Sequence, residues 1–128
     1  MSLIKSYRDL IVWQKSIELV KRIYLVTQIF PREELFGLSS QMRRSAVSIP
    51  SNIAEGYGRH STGDYIRFLH ISVGSLYELQ TQVEISFQLK YIIENPYLET
   101  IGLCTEIDKI LYTIIHKLKE GKEEGKGG

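Results

Sequence analysis

GLSSQMRRSAVSIPSNIAEGYGR, running from Gly37 to Arg59, is the stretch whose reading decides the fold. Leu38, Met42, Ala46, Ile49 and Ile53 recur in it every three or four residues, the spacing that gathers apolar side chains onto one face of an α-helix. Pro50 falls inside the pattern. A proline removes an amide donor and crowds the carbonyl four residues back. The spacing therefore predicts a helix kinked at Pro50, eased by the hydroxyl of Ser45 or Ser48, with Gly56 and Gly58 supplying its end.

The same periodicity extends to either side. Upstream, Ser6 and Asp9 form a short capping box that opens a first helix with Leu10, Trp13, Ile17, Val20 and Tyr24 on its inner face, ending near Ile29. Phe30 and Pro31 close it, and Arg32 to Phe36 make a short turn. Downstream, Ser61 and Asp64 open a third helix carrying Tyr65, Leu69, Leu76, Leu79 and Val83, which runs to about Ile92. Asn95 as N-cap and Pro96 as first helical residue open a fourth, with Tyr97, Ile101, Cys104, Leu111, Ile115 and Leu118 inward. No alternation long enough for a sheet occurs, and the connections are short. The expectation is an all-α, antiparallel up-down-up-down four-helix bundle. It forms one domain over residues 1–120, with residues 121–128 a disordered tail.

The 128 residues are 43% hydrophobic, enough for a single core. Sixteen Lys and Arg oppose fifteen Asp and Glu, which excludes a strongly basic, histone-like binder. Divided after His70, the first part carries +4 and the remainder −3. The lone Cys104 has no intramolecular disulfide partner, the chain start lacks signal-peptide chemistry, and no apolar run approaches the roughly 20 residues of a membrane span. A reducing, cytoplasmic setting follows as the expectation.

Catalytic constellations are missing. None of His60, His70 and His116 has a Glu three residues before it, and no HExxH, paired CxxC, P-loop or GxSxG occurs. No Arg stands four to six residues from a His, as in helical-bundle ribonucleases. Cys104, on an apolar helical face, reads as core. The expectation is a protein that is not an enzyme, with no metal, cofactor or small-molecule substrate.

What remains is a polar ladder. Arg44, Ser48, Asn52, Glu55 and Arg59 share one face of the second helix, and Arg67, Gly74, Glu78 and Thr81 share one on the third, with Ser75 beside Gly74. A glycine inside a helix costs about 1 kcal/mol, so Gly74 is expected to mark a close helix approach. Two readings stay open. In one, Ser48, Asn52, Glu55, Ser75 and Glu78 form buried polar pairs, with an arginine, that set helix register. In the other, Arg43, Arg44, Arg59 and Arg67 bind phosphate. On the first helix, thirteen of the 21 residues from Leu10 to Phe30 are apolar, more than a bundle core requires. Ile11, Leu25 and Ile29 fall within its charged arc, which predicts a subunit contact.

RRSAVSIPSNIAEG in the deciding stretch, STGDYIRFLHISVGSLYELQTQ (Ser61 to Gln82) after it and YRDLIVWQKSIELV (Tyr7 to Val20) before it together resemble the 23S rRNA intervening-sequence protein family. The resemblance runs from Tyr7 to about Leu118. It implies a bacterial four-helix bundle of a family first noticed as reading frames within large-subunit ribosomal RNA genes. It also implies similarity to the accessory variability proteins of diversity-generating retroelements, pentameric bundles that bind nucleic acid and a reverse transcriptase. No catalytic residue carries over, since the family has none established. A homopentamer and a noncatalytic role in binding RNA or a nucleic-acid-bound protein are what the resemblance implies. The alternative is a protein-interaction scaffold with no nucleic-acid role.

Overall fold

The computed structural model describes the backbone of residues 3–127 and the side chains of residues 3–121. Among the described residues four α-helices make up the architecture: α1 (Ile11–Thr27), α2 (Leu38–Tyr57), α3 (Thr62–Gln88) and α4 (Glu94–Gly127). No strand occurs among the described residues, so the fold is all-α. The segment expected to be a disordered tail, residues 121–128, overlaps the end of α4 as far as Gly127, while side chains after Gly121 and residue Gly128 lie outside the described set.

Each helix packs on two neighbours, α1 on α2 and α4, and α3 on α2 and α4. Cross-helix bonds give the register. Ser45 and Ser48 of α2 meet Glu78 and Ser75 of α3, so rising numbers on one helix meet falling numbers on the other. The same opposition joins Tyr77 and Glu84 of α3 to Asp108 and Tyr97 of α4. Lys15 and Arg22 of α1 likewise reach Glu106 and Glu99 of α4.

Between the helices lie Leu19, Ile23, Met42, Ile49, Ile53, Leu69, Leu76, Leu79, Ile107 and Leu111, all less than 2% exposed. Burying each contributes about 1.5–3 kcal/mol relative to leaving it in water. The expected inner faces of α2, α3 and α4 supply most of this core. On α1 the structure corrects the expectation by rotating the face: Val12, Ser16, Leu19, Ile23 and Thr27 are buried, whereas Leu10, Trp13 and Val20 flank the core, Ile17 is half-buried and Tyr24 is exposed. Two of the inward positions are polar, which hid them from a search for apolar spacing. Each hydroxyl is satisfied within its own helix, Ser16 donating to the Val12 carbonyl and Thr27 to the Ile23 carbonyl, both at 2.7 Å.

Helix boundaries also shift for local reasons. The Ser6 and Asp9 capping box is present, but it caps a short 3-10 turn, Tyr7–Asp9, ahead of α1. Ser61 caps α3 as expected, its hydroxyl accepting from the Asp64 amide. At the other end α3 stops at Gln88 rather than Ile92, because Lys90 adopts the left-handed conformation (φ 68°). The Tyr91 amide then returns to the Ser86 carbonyl at 2.8 Å and the Lys90 amide to Phe87 at 2.9 Å, a Schellman closure without glycine. Helix α4 starts at Glu94, with Ile93 giving the first carbonyl, so Pro96 sits in the first turn, where its missing amide is not needed. Helix α2 runs unbroken through Pro50. The Ser45 and Ser48 hydroxyls do not ease that position; both cross to α3.

Candidate nucleic-acid interface

The polar ladder is a seam between α2 and α3. Ser48 and Ser75 hydroxyls lie 2.8 Å apart, Ser45 donates to Glu78 Oε1 at 2.9 Å, and the buried Ser72 donates to the Ile49 carbonyl at 2.9 Å. Ser45 and Ser72 were not among the expected ladder residues; small hydroxyls at every third or fourth position of the two helices were the available signal. Asn52 does not cross the seam. It is half-buried and donates to the carbonyl and hydroxyl of Ser48 one turn earlier, at 2.8 and 3.0 Å. Glu55 faces solvent, paired at 2.7 Å to Arg59 just beyond the end of its helix, and no arginine joins Glu78. In place of the expected buried pairs of Asn52, Glu55 and an arginine, the seam is joined by hydroxyls, and its one carboxylate, Glu78, belongs to an exposed residue, which avoids the cost of fully burying charge.

Gly74 is corrected as well. A Cβ there would meet nothing within 4 Å, whereas one at Gly56 would stand 2.7 Å from Phe68 Cβ and 3.0 Å from the Tyr65 ring. The close approach of α2 and α3 is thus at Gly56, whose position near a helix end masked its packing role.

The four arginines do not form one patch. Arg43 lies in the second turn of α2, whereas Arg59 follows the Gly58 that ends it, about 20 Å farther along the helix. Arg43 is half-buried and works as a clamp on α1: its Nε donates to Thr27 Oγ1 at 2.9 Å and its guanidinium lies 4.7 Å over the Tyr24 ring. Arg44 is exposed, lining a shallow depression with Leu35, Phe36 and Val47.

Beyond the opposite end of α2, Arg59 and Arg67 both approach one aromatic ring, their guanidiniums 4.8 and 4.5 Å from the centroid of Phe68. Their acidic partners are Glu55 and, at 3.7 Å, Asp64, each close in the chain and in an exposed pair. Such pairs are worth about 0–1 kcal/mol, so an incoming phosphate displaces them at small cost. His60 is exposed in the adjoining turn.

On α1 the residues expected at a subunit contact are exposed: Ile11 is 62%, Leu25 67% and Ile29 78% accessible. Leu25 and Ile29 line a groove of about 410 Å³ with Lys21, Arg22 and Pro96. Cys104 is buried in the core, and burial pushes its thiol up to about 12.

The sequence model of the 23S rRNA-intervening sequence protein family matches residues 8–113. The chain belongs to that family. A solved structure from Bacteroides thetaiotaomicron, described as a protein of unknown function from the S23 ribosomal protein family, is 32% identical. It superposes with a TM-score of 0.76 over 83% of this chain and 96% of that one. Comparison with curated proteins gives no match. In this intervening-sequence family member, no helix among the described residues is long and apolar enough to cross a membrane.

Proposed function

We propose that this protein is a noncatalytic, self-associating module of the cytoplasm that binds single-stranded RNA, using the Arg59 and Arg67 end of the α2 and α3 pair. The observation that carries the reading is Phe68 with two exposed guanidiniums close to its ring, 4.8 and 4.5 Å from its centroid. Planar cations and an aromatic ring at one place offer phosphate contact and base stacking together, the combination single strands require. Arg44 adds a second, separate contact, while Arg43 keeps α1 and α2 together. With a chain charge of only +1, one copy binds weakly. Self-association through Ile11, Leu25 and Ile29, to the pentamer implied by the family resemblance, raises the effective concentration of the arginines on one strand.

The test has two parts. Light scattering of the purified protein is expected to give a single species well above 14.8 kDa, which Ile11→Glu with Leu25→Glu dissociates while helicity persists. Fluorescence anisotropy with labelled single-stranded RNA is expected to show micromolar binding whose log-log salt slope is about −0.7 per phosphate contact. Arg59→Ala with Arg67→Ala is expected to reduce both affinity and slope without lowering the melting temperature. No retention of RNA or DNA at about 50 mM salt would replace this reading with a protein-interaction scaffold.

A further inference from the structure

Beyond the arginine end, α3 and α4 leave a groove of about 360 Å³ between them. Its floor is apolar, from Val73 and the buried Ile115, and its two ends differ chemically. At one end Asp108 accepts a hydrogen bond from the Tyr77 hydroxyl on Oδ1 at 3.0 Å, and Oδ2 has no partner among the described residues. At the other stand His70, His116 and Lys119. Between them Tyr112 is 69% exposed, its ring parallel to the His116 imidazole within 4°. Asp108, Tyr112 and His116 are spaced four residues apart, so they share one face of α4, and the acceptor end lies about 12 Å from the cationic end.

We infer that this groove binds one nucleotide unit, with its base on Tyr112, its base edge at Asp108 and its phosphate at Lys119 and His70. A free carboxylate oxygen beside an aromatic face takes N–H donors from a base edge. Guanine offers two adjacent donors, adenine and cytosine an amino group, and uracil a single ring N–H, so guanine is preferred. Glu120, 3.1 Å from His116 Nε2, opposes phosphate on that side, which leaves Lys119 and His70 as its holders. Arg67 lies three residues before His70 on the same helix, so the two side chains are neighbours. The groove thereby continues the cationic track that begins at Arg59. The inference rests on the RNA-binding reading where the nucleotide belongs to a strand; a free mononucleotide shares the same chemistry.

Titration of the full chain with GMP and UMP, followed by the His70 and His116 proton resonances, and with guanine-containing or uracil-only RNA oligonucleotides, followed by anisotropy, distinguishes the sources. Expected is tighter binding of the guanine oligonucleotide than of the uracil one, weakened about tenfold by Tyr112→Ala. Asp108→Asn is expected to remove the guanine preference, and Lys119→Ala to weaken both oligonucleotides. GMP binding as tightly as the oligonucleotide would identify a free nucleotide as the ligand; at least tenfold weaker GMP binding would identify a strand residue. Equal affinity for both oligonucleotides, unchanged by Tyr112→Ala and Asp108→Asn but lost with Arg59→Ala and Arg67→Ala, overturns the groove and leaves the RNA reading standing. Saturation by GMP with no oligonucleotide bound removes the RNA reading and keeps the groove. These side chains line an open groove, and unchanged circular dichroism melting of each variant separates binding from folding.

Discussion

Alanine at Gly74 and alanine at Gly56 are expected to move stability in opposite directions. Both residues lie within helices, Gly74 in α3 and Gly56 in the last turn of α2. At Gly74 a Cβ enters open space, so the substitution recovers the conformational penalty of a helical glycine, about 0.5–1 kcal/mol. At Gly56 the same Cβ falls 2.7 Å from Phe68 Cβ, an atom anchored to its own backbone, and 3.3 Å from the Tyr65 carbonyl oxygen. The helices must separate there, and overpacking of this kind costs about 1–3 kcal/mol. The helix-propensity gain is at most about 1 kcal/mol, and smaller in a final turn, so the net change is a loss of about 1–2 kcal/mol. Unfolding entropy of about 2.1 cal/mol/K per residue over 128 residues makes each kcal/mol worth about 4 °C. Thermal melts followed by circular dichroism are expected to rise by about 2–4 °C for Gly74→Ala and fall by about 4–8 °C for Gly56→Ala. A fall for Gly74→Ala, or a rise for Gly56→Ala, would refute the assignment of the close approach.

Lys90→Gly is expected to stabilise the protein by about 1 kcal/mol in chemical denaturation, because the left-handed residue that closes α3 then carries no Cβ; a loss would show that the Lys90 side chain holds the turn. Cys104, buried and with its thiol raised to about 12, is expected to resist a thiol reagent at pH 8 until denaturant is added, whereas prompt labelling of the native protein would place it at the surface. The Glu84 carboxyl is held below its ordinary value by the hydrogen bond from the Tyr97 hydroxyl, then by that from Gln88, and the same contact with Glu84 raises Tyr97. A depressed carboxylate stabilises above its unfolded pKa and loses that contribution as pH falls through the folded value. A raised tyrosine stabilises below its unfolded pKa and loses it as pH rises through the folded one. The melting difference between the native chain and Tyr97→Phe is therefore expected to be greatest near neutrality and to shrink at both extremes, and a difference independent of pH would contradict the bond.

The all-α class and three of the four inner faces were legible because local chemistry specifies them. Met42, Ile49 and Ile53, or Leu69, Leu76 and Leu79, can be buried together on a helix only along one stripe, and Ser61 with Asp64 marks a start whose orphan amides need an acceptor wherever the helix goes. The exposed Ile11, Leu25 and Ile29 were legible for the converse reason, as apolar residues lying among the charged side chains of α1. The phase of α1 was not legible, since a helix apolar around most of its circumference offers several stripes and packing selects the one that includes Ser16 and Thr27. Nor could spacing show that Gly56 is crowded and Gly74 free, because a glycine's role is set by the atoms of another helix. The arginines divide for the same reason: Arg43 and Arg44 are adjacent in the chain, yet contact with α1 occupies one and leaves the other in water. The pairing of Tyr77 with Asp108 joins residues on helices whose relative register no single segment contains. Local periodicity determined which residues form helices, and tertiary packing decided which polar groups they spend on each other and which they leave exposed.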